Sequence, residues 1–306
     1  MNTTPSFTHT LRQRWQAADS MLCVGLDPDP ARIPTHLGTG PEAIDHFCRD
    51  IIAATADTVC AFKPQIAYFA AQGAEDVLAG LIAHIHAKHP GIPVILDAKR
   101  GDIGSTARQY GVEAFDRFKA DALTLSPFMG FDSIEPYFEW AGRGLILLCR
   151  TSNPGGNDLQ ALSVLPAGNA TETPPGAPSP RQSASDTASG AQPEKLYEHL
   201  ARLAAGPWNV NGELGLVVGA TFPDELARVR TLAPRLPLLV PGVGAQGGDV
   251  NATVRAGLDA DGYGLVINSS RAILYAGKGT DFADQARKAA VATRDAIRAA
   301  RDAARA

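Results

Sequence analysis

Apolar positions along the chain follow two alternating rhythms. Short β-branched or leucine-rich runs recur at Met21–Leu26, Thr58–Phe62, Pro93–Ala98, Ala122–Leu125, Gly144–Cys149, Leu214–Val218, Pro237–Val240 and Gly264–Ile267. Between them lie longer amphipathic stretches. In Glu42–Ala56, Ile44, Phe47, Cys48, Ile51 and Ile52 fall on one helical face, and in Pro223–Leu232 the proline suits a first helical turn. Strand-like runs alternating with helix-like ones are what a parallel sheet with crossover helices writes into sequence. Eight such units predict an α/β chain closed into a (β/α)8 TIM barrel; a doubly wound open sheet shares the periodicity and is the alternative. The expected organisation is one barrel domain over residues 1–306, with an Ala/Arg/Asp-rich helix at Asp281–Ala306 packed outside and frayed at its end.

One stretch breaks the rhythm. From about Pro154 to Pro193 the chain is rich in Gly, Pro, Ser, Thr and Ala, with TETPPGAPSP and SASDTASGA nearly free of large apolar residues. It cannot build a core, and it predicts a long flexible surface insertion after the fifth strand, with a lid over the site as the alternative.

Composition narrows the function. With 28 Lys+Arg against 32 Asp+Glu, the formal charge of -4 gives no overall attraction for polyanions, and no local basic patch replaces it, so neither nucleic acid nor a membrane surface is an expected partner. Cys23, Cys48, Cys60 and Cys149 are widely separated and lack metal-ligand spacing, which predicts buried free thiols. Met1–Asp19 lacks the apolar core of a signal peptide, and no later run approaches the roughly 18 apolar residues that span a bilayer. The expected location is the cytoplasm.

Candidate chemistry is densest in Val94-Ile-Leu-Asp-Ala-Lys-Arg-Gly-Asp-Ile-Gly-Ser-Thr106, which starts as an apolar strand and then places Asp97, Lys99 and Asp102 at its carboxyl end. Residues two apart in a strand share a face, so Asp97 and Lys99 are expected to project together into the barrel mouth, where catalytic groups of this fold sit. Asp27 and Lys63 end the first and second strands in the same way. Singly, Asp27 reads equally well as a turn residue before Pro28, Lys63 as a solvated strand end, and Asp97 with Lys99 as an ion pair closing the barrel. Together, three neighbouring strands deliver Asp27, Lys63, Asp97 and Lys99 to one mouth, each charge offsetting the desolvation of its neighbours.

After the seventh run comes Pro241-Gly-Val-Gly-Ala-Gln246-Gly-Gly, and after the eighth Asn268-Ser-Ser-Arg271. Barrels commonly grip phosphate there, with glycines admitting an anion to backbone N–H groups and an arginine donating twice, although a glycine-rich turn alone is often only a turn. Thr151-Ser152-Asn153 after the fifth run offers hydroxyl, amide and backbone groups at the mouth, or simply opens the insertion. Leu125-Ser-Pro-Phe-Met-Gly after the fourth reads as a packed lip of the pocket.

These motifs, and above all Asp97-x-Lys99-x-x-Asp102 within LDAKRGDIGSTA, resemble the orotidine 5′-phosphate decarboxylases, specifically their bacterial second type, from about Met21 to Arg271. The resemblance implies conversion of orotidine 5′-monophosphate to uridine 5′-monophosphate and carbon dioxide without metal or other cofactor. It implies a charged network of Asp27, Lys63, Asp97 and Lys99, with Lys99 the proton donor, and a homodimer in which Asp102 reaches the partner's site. It further implies that Gln246 and Arg271 contact phosphate with Pro241 at the same edge, that Ser152 reads the pyrimidine, and that Ile103 and Thr106 lie near the ribose and the neighbouring site. The long insertion is the main departure from the pattern. The residue types suit the reaction: a ring carbanion with no electron sink needs electrostatic stabilisation and immediate protonation, and flanking carboxylates favour an ammonium.

Three other readings compete. Metal-dependent phosphosugar decarboxylases or aldolases share the Asp-x-Lys-x-x-Asp pattern, but an ammonium at Lys63 would repel a divalent cation. A Schiff-base aldolase needs a lysine of lowered pKa, and adjacent aspartates push the other way. A non-catalytic phosphate-binding barrel leaves the charged cluster unexplained.

Overall fold

The computed structural model describes residues 6–165, 192–243 and 248–305. In chain order the elements are α1 (Phe7–Ala18), β1 (Leu22–Leu26), α2 (Gly40–Thr55), β2 (Ala61–Pro64), α3 (Ile66–Ala70), α4 (Glu75–Lys88), β3 (Ile95–Arg100), α5 (Gly104–Gly111), β4 (Ala122–Leu125) and β5 (Gly144–Arg150). They continue with the two-residue strands β6 (Ser163–Val164) and β7 (Glu194–Lys195), then α6 (Leu196–Ala205), β8 (Leu214–Val218), α7 (Pro223–Leu232), β9 (Leu238–Pro241), α8 (Val250–Gly257), β10 (Leu265–Ser269), α9 (Arg271–Leu274) and α10 (Phe282–Arg305).

Eight parallel strands run in the order β2-β1-β10-β9-β8-β5-β4-β3, and the bridges Phe62↔Val94 and Gln65↔Asp97 close the ring between β2 and β3. The barrel expected from the alternation of apolar runs is therefore what the chain forms, and the open sheet is not. Closure removes both edges, so each strand is buried on its two faces and tolerates the near-continuous apolar runs that the sequence shows. The expected face of α2 is the buried one: Ile44, Phe47, Cys48, Ile51 and Ile52 are all sealed. The four cysteines are buried free thiols.

The amino-terminal end of the barrel is plugged. Ser6 caps α1 by accepting the His9 N–H, and the helix buries Phe7, Leu11 and Trp15. Phe7 packs so closely on Gly144, at the start of β5, that a Cβ there would lie 2.2 Å from the ring. Nearby, the buried Arg230 guanidinium donates to the carbonyl oxygens of Gly257 at 2.8 Å, Leu236 at 2.8 Å and Gly264 at 2.9 Å, joining the ends of α7 and α8 to the starts of β9 and β10. Those carbonyls have lost water and lean on this cation, although Gly264 also accepts the Leu238 N–H at 2.9 Å. Arg230→Met, similar in volume, is expected to lower stability by about 3 kcal/mol, read from urea midpoints, with turnover per folded molecule unchanged.

Two expectations need correction. The strands reach further toward their carboxyl ends than the apolar runs did: β2 covers Ala61–Pro64, with Thr58 in a preceding 3-10 turn, and β10 extends to Ser269. Polar residues at the mouth hide strand that the backbone still pairs. The stretch from Pro154 is not featureless at its start either. Pro154–Asp158 forms a 3-10 turn, and β6 pairs antiparallel with β7, Ser163 facing Lys195. Of the flexible insertion expected from about Pro154 to Pro193, residues 166–191 lie outside the described residues.

Candidate active site

The open, carboxyl-terminal end of the barrel collects the charged residues, and β3 is shaped around them. Leu96 pairs with Leu123, but the next paired residue of β3 is Arg100, opposite Leu125, so Asp97, Ala98 and Lys99 bulge against the single residue Thr124. The simple alternation that would put Asp97 and Lys99 on one face does not hold here; the bulge brings them together instead. Within it, Lys99 adopts φ 48°, the left-handed region that costs a residue with a Cβ of order 1–3 kcal/mol. Thr124 satisfies the displaced backbone: its hydroxyl accepts the N–H groups of Ala98 at 3.0 Å and Lys99 at 2.9 Å, and donates to Asp97 Oδ1 at 2.9 Å. All three capacities of that hydroxyl are used. Sequence reading missed Thr124, although a lone hydroxyl in the apolar run Ala122–Leu125 was the available signal.

Asp97 sits between two ammoniums. Lys63 Nζ donates to its Oδ2 at 2.8 Å and Lys99 Nζ to its Oδ1 at 2.6 Å. Exposure separates the two lysines: the Lys63 side chain is 5% exposed and that of Lys99 46%, so Lys63 is sealed below while Lys99 opens to the cavity. Burial opposes ionisation of Asp97, but Lys63 and Lys99 outweigh it and hold the carboxyl well below the usual range. Burial likewise opposes the charge on Lys63, and Asp97 and Asp27 more than compensate, raising it above an ordinary lysine. Both directions describe one arrangement of fixed, mutually compensating charges.

Two adjoining cavities share Lys63, Asp97 and Pro241. One, of 230 Å³, also takes in Lys99, Thr124, Ser152 and Val217. The other, of 180 Å³, takes in Asp27, Gly242, Asn268, Ser270 and Arg271. Asp27 makes no direct ion pair with Lys63 among the described residues. Its Oδ1, with Asn268 Oδ1 and Ser270 Oγ, is buried and lacks a hydrogen-bond partner among the described residues, so this side of the mouth presents polar atoms that a polar ligand could meet. The backbone below Asp27 is fixed by the Tyr275 hydroxyl, which donates to the Asp27 carbonyl at 2.8 Å and accepts the Asp29 N–H at 2.6 Å. Gly25 is needed in β1 because a Cβ there would lie 2.9 Å from Asn268 Oδ1.

The sequence-predicted residues fall into three groups. Asp27, Lys63, Asp97, Lys99, Ser152, Pro241 and Arg271 line the two cavities. Asp102, Ile103 and Thr106 do not: they stand at the start of α5, where Asp102 Oδ1 accepts the Ile103 N–H at 2.8 Å and Ile103 is 49% exposed. Gln246 lies outside the described residues. The loop after β4 is not the packed lip that was expected, since Phe128 and Met129 are exposed; they sit in a turn closed by the Gly130 N–H donating to the Pro127 carbonyl at 2.9 Å, with Gly130 at φ 81°. No three His, Cys, Asp or Glu side chains gather as metal ligands among the described residues.

Comparison with known proteins adds a family. The model described as "Orotidine 5′-phosphate decarboxylase / HUMPS family" matches residues 20–173. Orotidine 5′-phosphate decarboxylase of an Azoarcus species is 62% identical over 295 residues, covering 96% of this chain and 99% of its own. The enzyme of that name from Aromatoleum aromaticum is 60% identical over 291 residues, covering 95% and 98%. The solved structure of Leishmania donovani OMP decarboxylase superposes with a TM-score of 0.77 at 40% identity, over 97% of this chain and 99% of that one.

Proposed function

This chain belongs to the orotidine 5′-phosphate decarboxylase family, and from that premise we propose how its own residues convert orotidine 5′-monophosphate to uridine 5′-monophosphate and carbon dioxide in pyrimidine biosynthesis. The observation that carries the reading is the Lys63–Asp97–Lys99 array, with contacts of 2.8 and 2.6 Å, in which Lys99 is the half-exposed ammonium and Lys63 the buried one. The bond from ring carbon to carboxylate breaks, carbon dioxide departs, and the electron pair stays on the ring carbon. Lys99 donates the proton that completes the new C–H bond and is then reprotonated from solvent. Asp97 orients Lys99, Lys63 balances Asp97 from below, and Asp27 completes the alternation. Such preset charges stabilise developing negative charge without reorganising at the moment of reaction.

Ser152 reads the pyrimidine edge, and Arg271 with Gln246 and Pro241 holds the phosphate. Binding there, remote from the reacting carbon, supplies energy realised in the transition state. Asp102, with Ile103 and Thr106, serves the neighbouring site of a homodimer; its support is that all three stand away from their own chain's cavity, Asp102 half-buried and Ile103 and Thr106 exposed. The working location is the cytoplasm, a reading supported by four unpaired buried cysteines and by the absence, among the described residues, of any helix long and apolar enough to cross a membrane.

The reaction uses neither metal nor other cofactor, because the ammonium of Lys63 occupies the place where a divalent cation would need a carboxylate. Purified protein is expected to consume orotidine 5′-monophosphate, followed by ultraviolet absorbance, at the same rate with and without EDTA. Activity abolished by EDTA and restored by magnesium would point to the metal-dependent relatives instead.

A further inference from the structure

Arg150 ends β5, is 1% exposed, and has no part in the chemistry above. Its guanidinium makes connections in two directions. Toward α7, Nε donates to Glu225 Oε2 at 2.5 Å, and the group lies 4.3 Å over the Phe222 ring. Toward the loop after β5, Nη2 donates to Asn157 Oδ1 at 2.6 Å and Nη1 reaches Gln160 Oε1 at 3.5 Å. Gln160 in turn holds Thr151, its Oε1 accepting the Thr151 N–H at 2.8 Å while its Nε2 donates to Thr151 Oγ1 at 3.0 Å. The loop closes tightly on this hub: a Cβ on Gly156 would lie 2.9 Å from both Arg150 Nη1 and Gln160 Oε1.

The residue that follows is Ser152. Its backbone is pressed on the segment that follows β8, where a Cβ on Gly219 would lie 2.7 Å from Ser152 Cα, and its carbonyl accepts from Thr221 Oγ1 at 3.3 Å. Ser152 is thus clamped from one side by Gly219 and Thr221, and from the other by a chain of contacts running through Thr151 and Gln160 to Arg150. Packing alone does not call for a buried cation, since a well-fitted apolar side chain often serves as well or better. A planar fork that bridges a helix and a loop does explain an arginine, and a lysine could not reproduce it.

We propose that Arg150, acting through Gln160, is a positioning residue that holds the Thr151–Ser152 backbone in the geometry that reads the pyrimidine, and so sets recognition of the base rather than of the sugar phosphate. The inference rests on Ser152 serving as the base contact. The experiment compares binding of uridine 5′-monophosphate and of ribose 5-phosphate to full-length protein by calorimetry. Gln160→Ala and Arg150→Lys are expected to weaken uridine 5′-monophosphate by about tenfold and to leave ribose 5-phosphate within about twofold. Gln160→Glu, which keeps an acceptor for the Thr151 N–H and for Arg150, is expected to restore the nucleotide affinity. If Arg150→Lys does not fold, the Gln160 pair decides. Equal weakening of both ligands, no weakening, or failure of Gln160→Glu to rescue would overturn the proposal. Ser152→Ala separates the two layers. If it moves the ratio of the two affinities while the Gln160 variants do not, only the positioning role is lost; if it does not move the ratio, the base contact itself is wrong and the inference falls with it.

Discussion

Lys99→Ala is expected to fold, to bind uridine 5′-monophosphate, and to lose turnover of orotidine 5′-monophosphate by about 10⁴-fold or more. General acid catalysis alone typically contributes up to about 10⁴-fold, and in the proposed mechanism this ammonium also stabilises the developing charge. Folding should survive because Lys99 is the half-exposed partner of Asp97: the sealed contact with Lys63 and the hydrogen bond from Thr124 remain. Removing the residue even relieves the left-handed backbone strain in part, if glycine is chosen instead of alanine. Turnover retained within tenfold would exclude Lys99 as donor. Mixing the variant with Asp102→Ala extends the test to the proposed dimer. A hybrid carries one site with both defects and one with neither, so random exchange of two inactive proteins should restore roughly a quarter of the wild-type sites. No recovery on mixing, in subunits shown to exchange, would place Asp102 outside the neighbouring site.

The second large effect is on stability. Asp97→Ala leaves the sealed Lys63 ammonium without its ion-pair partner and removes the acceptor of the Thr124 hydroxyl, and the expected loss is about 3–5 kcal/mol, the range for breaking one partner of a buried pair. Chemical denaturation should show it as a lower midpoint, with activity also gone because Lys99 loses its orienting carboxylate. A loss below about 1 kcal/mol would mean that the array is solvated and contributes little. The pH dependence follows from the two shifts. Asp97 is depressed below its unfolded value of about 3.9, so its contribution is present above about pH 4 and fades as pH falls toward the native value. Lys63 is raised above its unfolded value of about 10.4, so its contribution is complete below that pH and is lost as pH rises through the native value. The pair should therefore stabilise the protein fully between about pH 4 and 10, and Asp97→Ala should flatten the acid limb of the wild-type profile.

Much of the site was legible because charged residues at the ends of apolar runs are rare unless something requires them. Asp27, Lys63, Asp97 and Lys99 stood out on that ground, and the structure places all four on the cavity walls. Thr124 and Arg150 were not legible as contributors. A threonine in a strand is ordinary, and an arginine at a strand end reads as solvated; only folding shows that the first closes a bulge and the second is buried. Strand ends were read short for the same reason: the pattern marks where apolar side chains stop, while the backbone of β2 and β10 continues to pair through Lys63 and Asn268.

By itself the sequence determined the class of fold and the gathering of charge at one mouth, because both follow from local rules: periodicity of two against 3.6, and the cost of placing charge beside apolar residues; the reaction was readable only through the family resemblance. Tertiary structure decided which charges touch. The distance from Lys63 to Asp97 depends on closure of the ring between β2 and β3, and the approach of Lys99 depends on two extra residues of β3 lying opposite Thr124. Neither is a property of any short segment, since register arises only when strands distant in the chain pair and a barrel fixes their stagger.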